Sequence, residues 1–159
     1  MFQKALSDDV KTSLNMVCID GDQSTNDTGC IRANGLAGND EICAVGHDYS
    51  AFKRALHYCT VKLSKMIAKD GEGATKLIEC NVRGAKSAKM ARSVARSVIK
   101  SSLVKAAMFG ADANWGRVLC AIGYAGEPVD VDKIAVNFCS CPLYTSDAAA
   151  EGLGVVLDG

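Results

Sequence analysis

The chain has 159 residues, and its 18 basic and 18 acidic side chains leave a formal net charge of zero at pH 7. That length suits one domain with an ample core, and the charge balance excludes a global field that would draw nucleic acid or an anionic membrane. No apolar run reaches the roughly 20 residues of a spanning helix, and Met1–Asp9 carries acids early with no apolar stretch of the kind a secretory signal needs. A cytoplasmic protein is the expectation.

In chain order, Phe2, Leu6, Val10 and Leu14 recur every four positions and predict a short helix over residues 2–14. Asn15–Ile19 is a brief apolar run stopped by Asp20-Gly21-Asp22, which reads as a buried strand and a turn. Residues 24–40 are polar and glycine-rich, as a loop or an irregular strand pair would be. Asp48 suits a helix N-cap, and Phe52, Ala55, Leu56, Cys59, Leu63, Met66 and Ile67 then share one helical face, with Gly71 as the expected stop. A strand is predicted over 75–82 and an amphipathic helix over 86–101, with Ala91, Val94, Ala95, Val98 and Ile99 inward. Leu103–Phe109 is apolar enough for a strand. Asn114–Tyr124 reads as a helix with Trp115, Val118, Leu119 and Ile122 on its apolar face, and 133–138 as the final strand. Alternating strands and helices predict an α/β or α+β fold, a layered sheet with packed helices. Residues 139–159 change character, being rich in Ala and Gly. The domain reading is therefore 1–138, followed by a tail, either divergent or foreign, to which no function is assigned.

Eight cysteines raise the question of zinc or disulfides. There is no C-x-x-C, and neither His47 nor His57 stands beside Cys139-Ser140-Cys141, so no metal site is expected. Cys18, Cys59, Cys80 and Cys120 have apolar neighbours and are expected to be buried free thiols. The Asp20–Asp27 block (DGDQSTND) looks superficially like a calcium loop. An EF-hand needs glycine sixth and glutamate twelfth, however, and Thr25 and Ile31 stand there. The block reads as a turn held by Asx and Ser/Thr bonds, or as a loop facing a substrate. Gly71-Glu72-Gly73-Ala74-Thr75-Lys76 is neither a P-loop nor a dinucleotide fingerprint. It is either a plain helix-to-strand connection with Glu72 solvated, or a glycine-hinged loop that points Glu72 at a ligand. The run Arg83–Lys105 has seven basic residues and no acid, but without interleaved aromatics it lacks the stacking platform of a nucleic-acid binder. Asp112 or Asn114 would cap the next helix, with Trp115 as a core anchor. No G-x-S-x-G occurs, so serine hydrolysis has no motif.

In this order, the blocks Asp20–Asp27, Asp70–Lys76, Leu103–Gly110 and Asn114–Leu119 resemble the ornithine acetyltransferase family, the bifunctional glutamate N-acetyltransferases of arginine biosynthesis. The likeness runs from about Phe2 to about Phe138. It implies an acyltransferase that moves an acetyl group from N-acetylornithine to glutamate through an acetyl-threonine intermediate, with acetyl-CoA as a donor in some members and no cofactor. It also implies autocatalytic cleavage before the threonine, and a hetero-oligomer of this type of chain, the beta chain, with a companion alpha chain. Glu72 matches the family's substrate-site glutamate and is the one substrate-binding residue carried over. No catalytic residue is carried over, because the threonine nucleophile is expected upstream of Met1. The chain is thus expected to be an internal piece of the nucleophile-bearing subunit, inactive alone and prone to self-association. The alternative is a small non-catalytic α/β module that binds an amino acid or a partner chain through the Asp22 and Glu72 loops.

Overall fold

The computed structural model describes residues 1–138 and, as backbone, 151–157. They divide into two units: Met1–Val17 with Asp22–Ala68, and Cys18–Gly21 with everything from Lys69 onward.

In the first unit, helix α1 spans Phe2–Asp9, and two 3-10 turns, Val10–Thr12 and Leu14–Met16, follow it. The expected helix is therefore real but shorter, and the expected strand at Asn15–Ile19 does not form. A short apolar run fits a strand and a turn of helix equally well. Helix α2 spans His47–Lys69, beginning one residue before Asp48, whose carboxylate sits in the first turn and favours the positive end of the helix dipole. Phe2 packs edge-on against Phe52, with ring centroids 5.2 Å apart.

The buried face of α2 is not the predicted one. Tyr49, Thr60 and Ser64 are buried, while Leu63, Met66 and Ile67 are exposed and Tyr58 is 70% exposed. Thr60 is inward because Asp9, itself only 6% exposed, accepts from its hydroxyl, while Ser64 Oγ donates to Thr60 O at 2.7 Å within the helix. Cys59 is exposed as well, contrary to the expected buried thiol.

The second unit is built on a three-stranded sheet of order β1-β3-β2. Strand β1 is Ile78–Arg83, β2 is Ile134–Phe138 and β3 is Glu151–Leu157. β3 lies in the middle, parallel to β1 (Ile78 opposite Glu151) and antiparallel to β2 (Ile134 opposite Leu157). Residues 134–138 are thus not the final strand. The supposed tail divides between β3 and residues 139–150 and 158–159, which lie outside the described residues.

Period-two alternation turns Ile78, Cys80 and Val82 of β1, and Ile134, Val136 and Phe138 of β2, onto the core. Helix α3 (Ala88–Lys100) covers them. Ser87 caps its start by accepting a hydrogen bond from Met90 N at 3.1 Å, and Met90, Val94, Ala95 and Val98 are buried. Residues 102–109 form a helix, α4 (Ser102–Phe109), rather than the expected strand. Ser101 ends α3 and caps α4, its Oγ accepting from Val104 N at 3.3 Å, and this capping decides what a seven-residue apolar run could not.

Helix α5 (Trp115–Gly123) contributes Val118, Ala121 and Ile122, which close the core around Val94, Val98, Val104 and Met108. Ser97 Oγ donates to Ala121 O and ties α3 to α5. Trp115 is 64% exposed and anchors no core, and Cys120 is exposed too. Mixed strands with helices packed on the sheet give the α/β class expected from the alternation.

Candidate functional site

Helix α2 ends at Lys69, and the chain turns through Gly71-Glu72-Gly73-Ala74, with Ala74 N donating to Gly71 O at 2.9 Å. Gly73, not Gly71, takes the left-handed conformation (φ +69°), as the third position of such a turn requires. Nothing lies within 4 Å of where a Cβ on Gly73 would point, so glycine is needed there for its backbone and not for space. Glu72 stands at the corner of the turn with its side chain exposed. The turn leaves the Glu72 carboxylate exposed between α2 and β1. A free carboxylate so placed can accept charge-assisted hydrogen bonds from an ammonium group.

The Asp20–Asp27 block divides between the two units, and the residues picked out with Glu72 fall accordingly. Asp20 and Gly21 belong with Glu72 to the second unit, while Asp22, Thr25 and Asn26 belong to the first. Gly21 is left-handed (φ +102°). Ser24 Oγ accepts from the backbone N–H of Asn26 (3.3 Å) and Asp27 (3.2 Å), and Thr25 Oγ1 donates to Asn26 Oδ1 at 2.9 Å. The side-chain turn foreseen from composition is therefore present, and every residue from Gly21 to Cys30 is exposed.

Lys105 on α4 braces the segment before this block, since its Nζ donates to Ile19 O. At the start of α5, Asn114 accepts from Arg117 N at 3.1 Å and donates through Nδ2 to Asp112 Oδ2 at 2.9 Å, while Arg117 Nη1 donates to Leu103 O at 3.0 Å. Asn114 is thus the helix cap, and Asp112 supports it.

A polar cluster in the first unit had no counterpart in the motif reading. Asp9 Oδ1 lies 2.7 Å from His57 Nδ1. Asp9 Oδ2 accepts from Thr60 Oγ1, and from Ser13 Oγ at 3.3 Å. Burial raises the Asp9 pKa, but the hydrogen bonds from Thr60 and His57, the nearby imidazole charge and Ser13 outweigh it, so the net shift is below the ordinary carboxylate value. Both hydroxyls donate to the carboxylate and so are not free to act as nucleophiles. The cluster is a clamp joining α1, the following turn and α2. Its α2 partners, His57 and Thr60, lie about fifty residues from Asp9, too far for any local pattern to reveal.

Two sulfurs show how environment sorts the thiols. Cys80, turned from β1 into the core, has its thiol pushed up to about 12 by burial, whereas Cys59 and Cys120 lie exposed. Among the described residues no helix is long and apolar enough to cross a membrane.

Residues 1–153 match the family model described as "ArgJ family". The chain is 54% identical over 138 residues to "Arginine biosynthesis bifunctional protein ArgJ 1" of Clostridium acetobutylicum, covering 87% of this chain and 34% of that protein. It is 50% identical over 133 residues to "Arginine biosynthesis bifunctional protein ArgJ" of Caldanaerobacter subterraneus, covering 84% of this chain and 33% of the relative. A crystal structure of arginine biosynthesis bifunctional protein argJ from Bacillus halodurans superposes with a TM-score of 0.90 at 40% identity, covering 98% of this chain and 81% of that one. The chain belongs to the ArgJ family and spans about a third of the length of the curated relatives it matches.

Proposed function

From the chain's place in the ArgJ family, we propose that it is part of an acyltransferase of arginine biosynthesis that moves an acetyl group from N-acetylornithine to glutamate. The observation that carries the reading is the family match across residues 1–153, within which Glu72 stands exposed at the corner of a glycine turn. In this reading Glu72 holds the ammonium group of the amino-acid substrate. The attacking group is a threonine hydroxyl outside this chain, made nucleophilic by a neighbouring base such as its own terminal amine. Donors for the tetrahedral oxyanion come from a companion chain. Processing into two chains is supported by lengths: this polypeptide covers 81% of the solved Bacillus halodurans chain but only 34% of the Clostridium relative, so that solved chain is itself well short of a full-length relative. Acetyl-CoA as a second donor belongs to the same proposal, as does a cytoplasmic location.

The test has two arms. Purified chain incubated with N-acetylornithine and glutamate is expected to form no acetylglutamate, and clear turnover would overturn the assignment of the nucleophile to another segment. In titrations followed by NMR, glutamate or N-acetylornithine is expected to shift the amides of residues 70–76, and Glu72→Gln to weaken binding by roughly tenfold or more, the loss of one charge-assisted hydrogen bond. Undiminished binding by the variant would refute the role of Glu72. The reading frame upstream separates the alternative, a non-catalytic binding module: an Ala-Thr pair shortly before Met1 supports the enzyme, and an in-frame stop supports the module.

A further inference from the structure

Lys105 reaches from α4 to the Cys18–Gly21 segment and meets two atoms there. Its Nζ donates to Ile19 O and lies 4.0 Å from Cys18 Sγ. Lys105 and Cys18 are both half-buried, so the pair is sheltered but open to a small solute. This setting differs from that of Cys80, whose thiol burial pushes up to about 12, and from the exposed Cys30, Cys43, Cys59 and Cys120. The 4.0 Å contact sets the Cys18 sulfur directly against the Lys105 nitrogen, so an oxidised sulfur would meet a nucleophile within reach. An amine beside a sulfenic acid is in turn placed to capture it, as backbone nitrogen does in known sulfenamides.

We propose that Cys18 and Lys105 form a peroxide-responsive covalent link between the segment preceding Asp20-Gly21-Asp22 and helix α4. In the first step Cys18, its thiol proton passed to solvent, attacks hydrogen peroxide, the O–O bond breaks, Cys18 becomes a sulfenic acid, and the departing hydroxide takes a proton back from solvent to leave as water. In the second, Lys105, having released a proton to solvent, attacks that sulfur through its amine. The S–O bond breaks, an S–N bond forms and a second water leaves. Both electrons come from the thiol, the amine nitrogen replaces the hydroxyl, and the joined residues are lighter by two hydrogens than the separate pair. A dithiol reverses the link by attacking the sulfur and releasing the amine. The same lysine already holds Ile19 O, so closure needs the side-chain end to move and not the backbone. The link would fix to α4 the backbone that leads into Asp20 and Gly21.

The experiment is non-reducing peptide mapping by mass spectrometry of the purified chain after hydrogen peroxide. The expected result is a peptide pair joined through Cys18 and Lys105, lighter by two hydrogens, dissolved by dithiothreitol, and missing from Cys18→Ser and Lys105→Arg. Circular dichroism of Lys105→Arg checks that it folds, and the product in the unaltered chain carries the proposal independently of either variant. Cys18 found as sulfenic, sulfinic or sulfonic acid without a joined partner would overturn it, and so would Cys18 in a disulfide. A joined pair that retains an oxygen would also overturn the S–N assignment. None of these outcomes bears on the acetyl-transfer reading, which rests on other residues.

Discussion

Replacing Asp9 by Asn tests the clamp that turns α2's polar face inward. The carboxylate is 6% exposed and accepts from Thr60, from Ser13 at 3.3 Å and from His57 at 2.7 Å. Asn removes the charge and sets an amide donor against donors. Two of the three partners have fallback acceptors. Thr60 Oγ1 is already 3.1 Å from Leu56 O and from His57 O, and Ser13 Oγ is 2.9 Å from Asp9 O. His57 is half-exposed and can turn to water. The loss is therefore not the sum of three bonds but nearer to one charge-assisted bond plus a donor clash, about 2 to 3 kcal/mol at neutral pH. Equilibrium urea unfolding followed by far-UV circular dichroism measures it. The sign of the pH dependence follows from the lowered Asp9 pKa. The folded state favours the ionised form, so this stability is fully present above the unfolded-state value of 3.8 and is lost as pH falls through the lower folded value. The two proteins should converge in acid. Equal stability at neutral pH, or a gap that does not shrink on acidification, would refute the clamp.

Truncating Ile122, 1% exposed among Val94, Val98 and Val118, should cost about 2–5 kcal/mol through lost burial and a cavity, read from the urea midpoint. Helix α4 ends in a Schellman motif, with Asp112 N on Ala107 O (2.9 Å) and Ala111 N on Met108 O (3.1 Å), and this forces Ala111 to φ +54°. Ala111→Gly should stabilise by about 0.5 kcal/mol, the relief of the left-handed strain exceeding the added freedom of the unfolded chain, as a rise in thermal midpoint. Gly110→Ala should also stabilise, by about 0.4–1 kcal/mol, since its φ is −78° and a Cβ would meet only Ala106 O and Ala107 O at ordinary contact distances of 3.5 and 3.6 Å. Iodoacetamide at mildly alkaline pH should label Cys59 and Cys120 in the folded chain and spare Cys80 until denaturant is added, as counted by intact mass.

Periodicity alone determined where the long helices lie, because α2 and α3 repeat apolar positions over enough turns to be unambiguous. It also determined the strands at Ile78–Arg83 and Ile134–Phe138, whose alternation matches the pleat. The turn chemistry of Ser24 and of Gly71–Ala74, with Glu72 at its corner, could likewise be read from residue types, because such turns are local. What only the tertiary structure decided were the choices in which distant partners outvote local pattern. Leu103–Phe109 became a helix because Ser101 caps it and the core accepts Val104 and Met108 from a helix face. Trp115 was left outside because Val118 and Ile122 already fill the interior. Helix α2 turned Thr60 inward because a buried carboxylate some fifty residues away needs a donor more than a leucine needs cover, since an unmet buried charge is the dearer of the two.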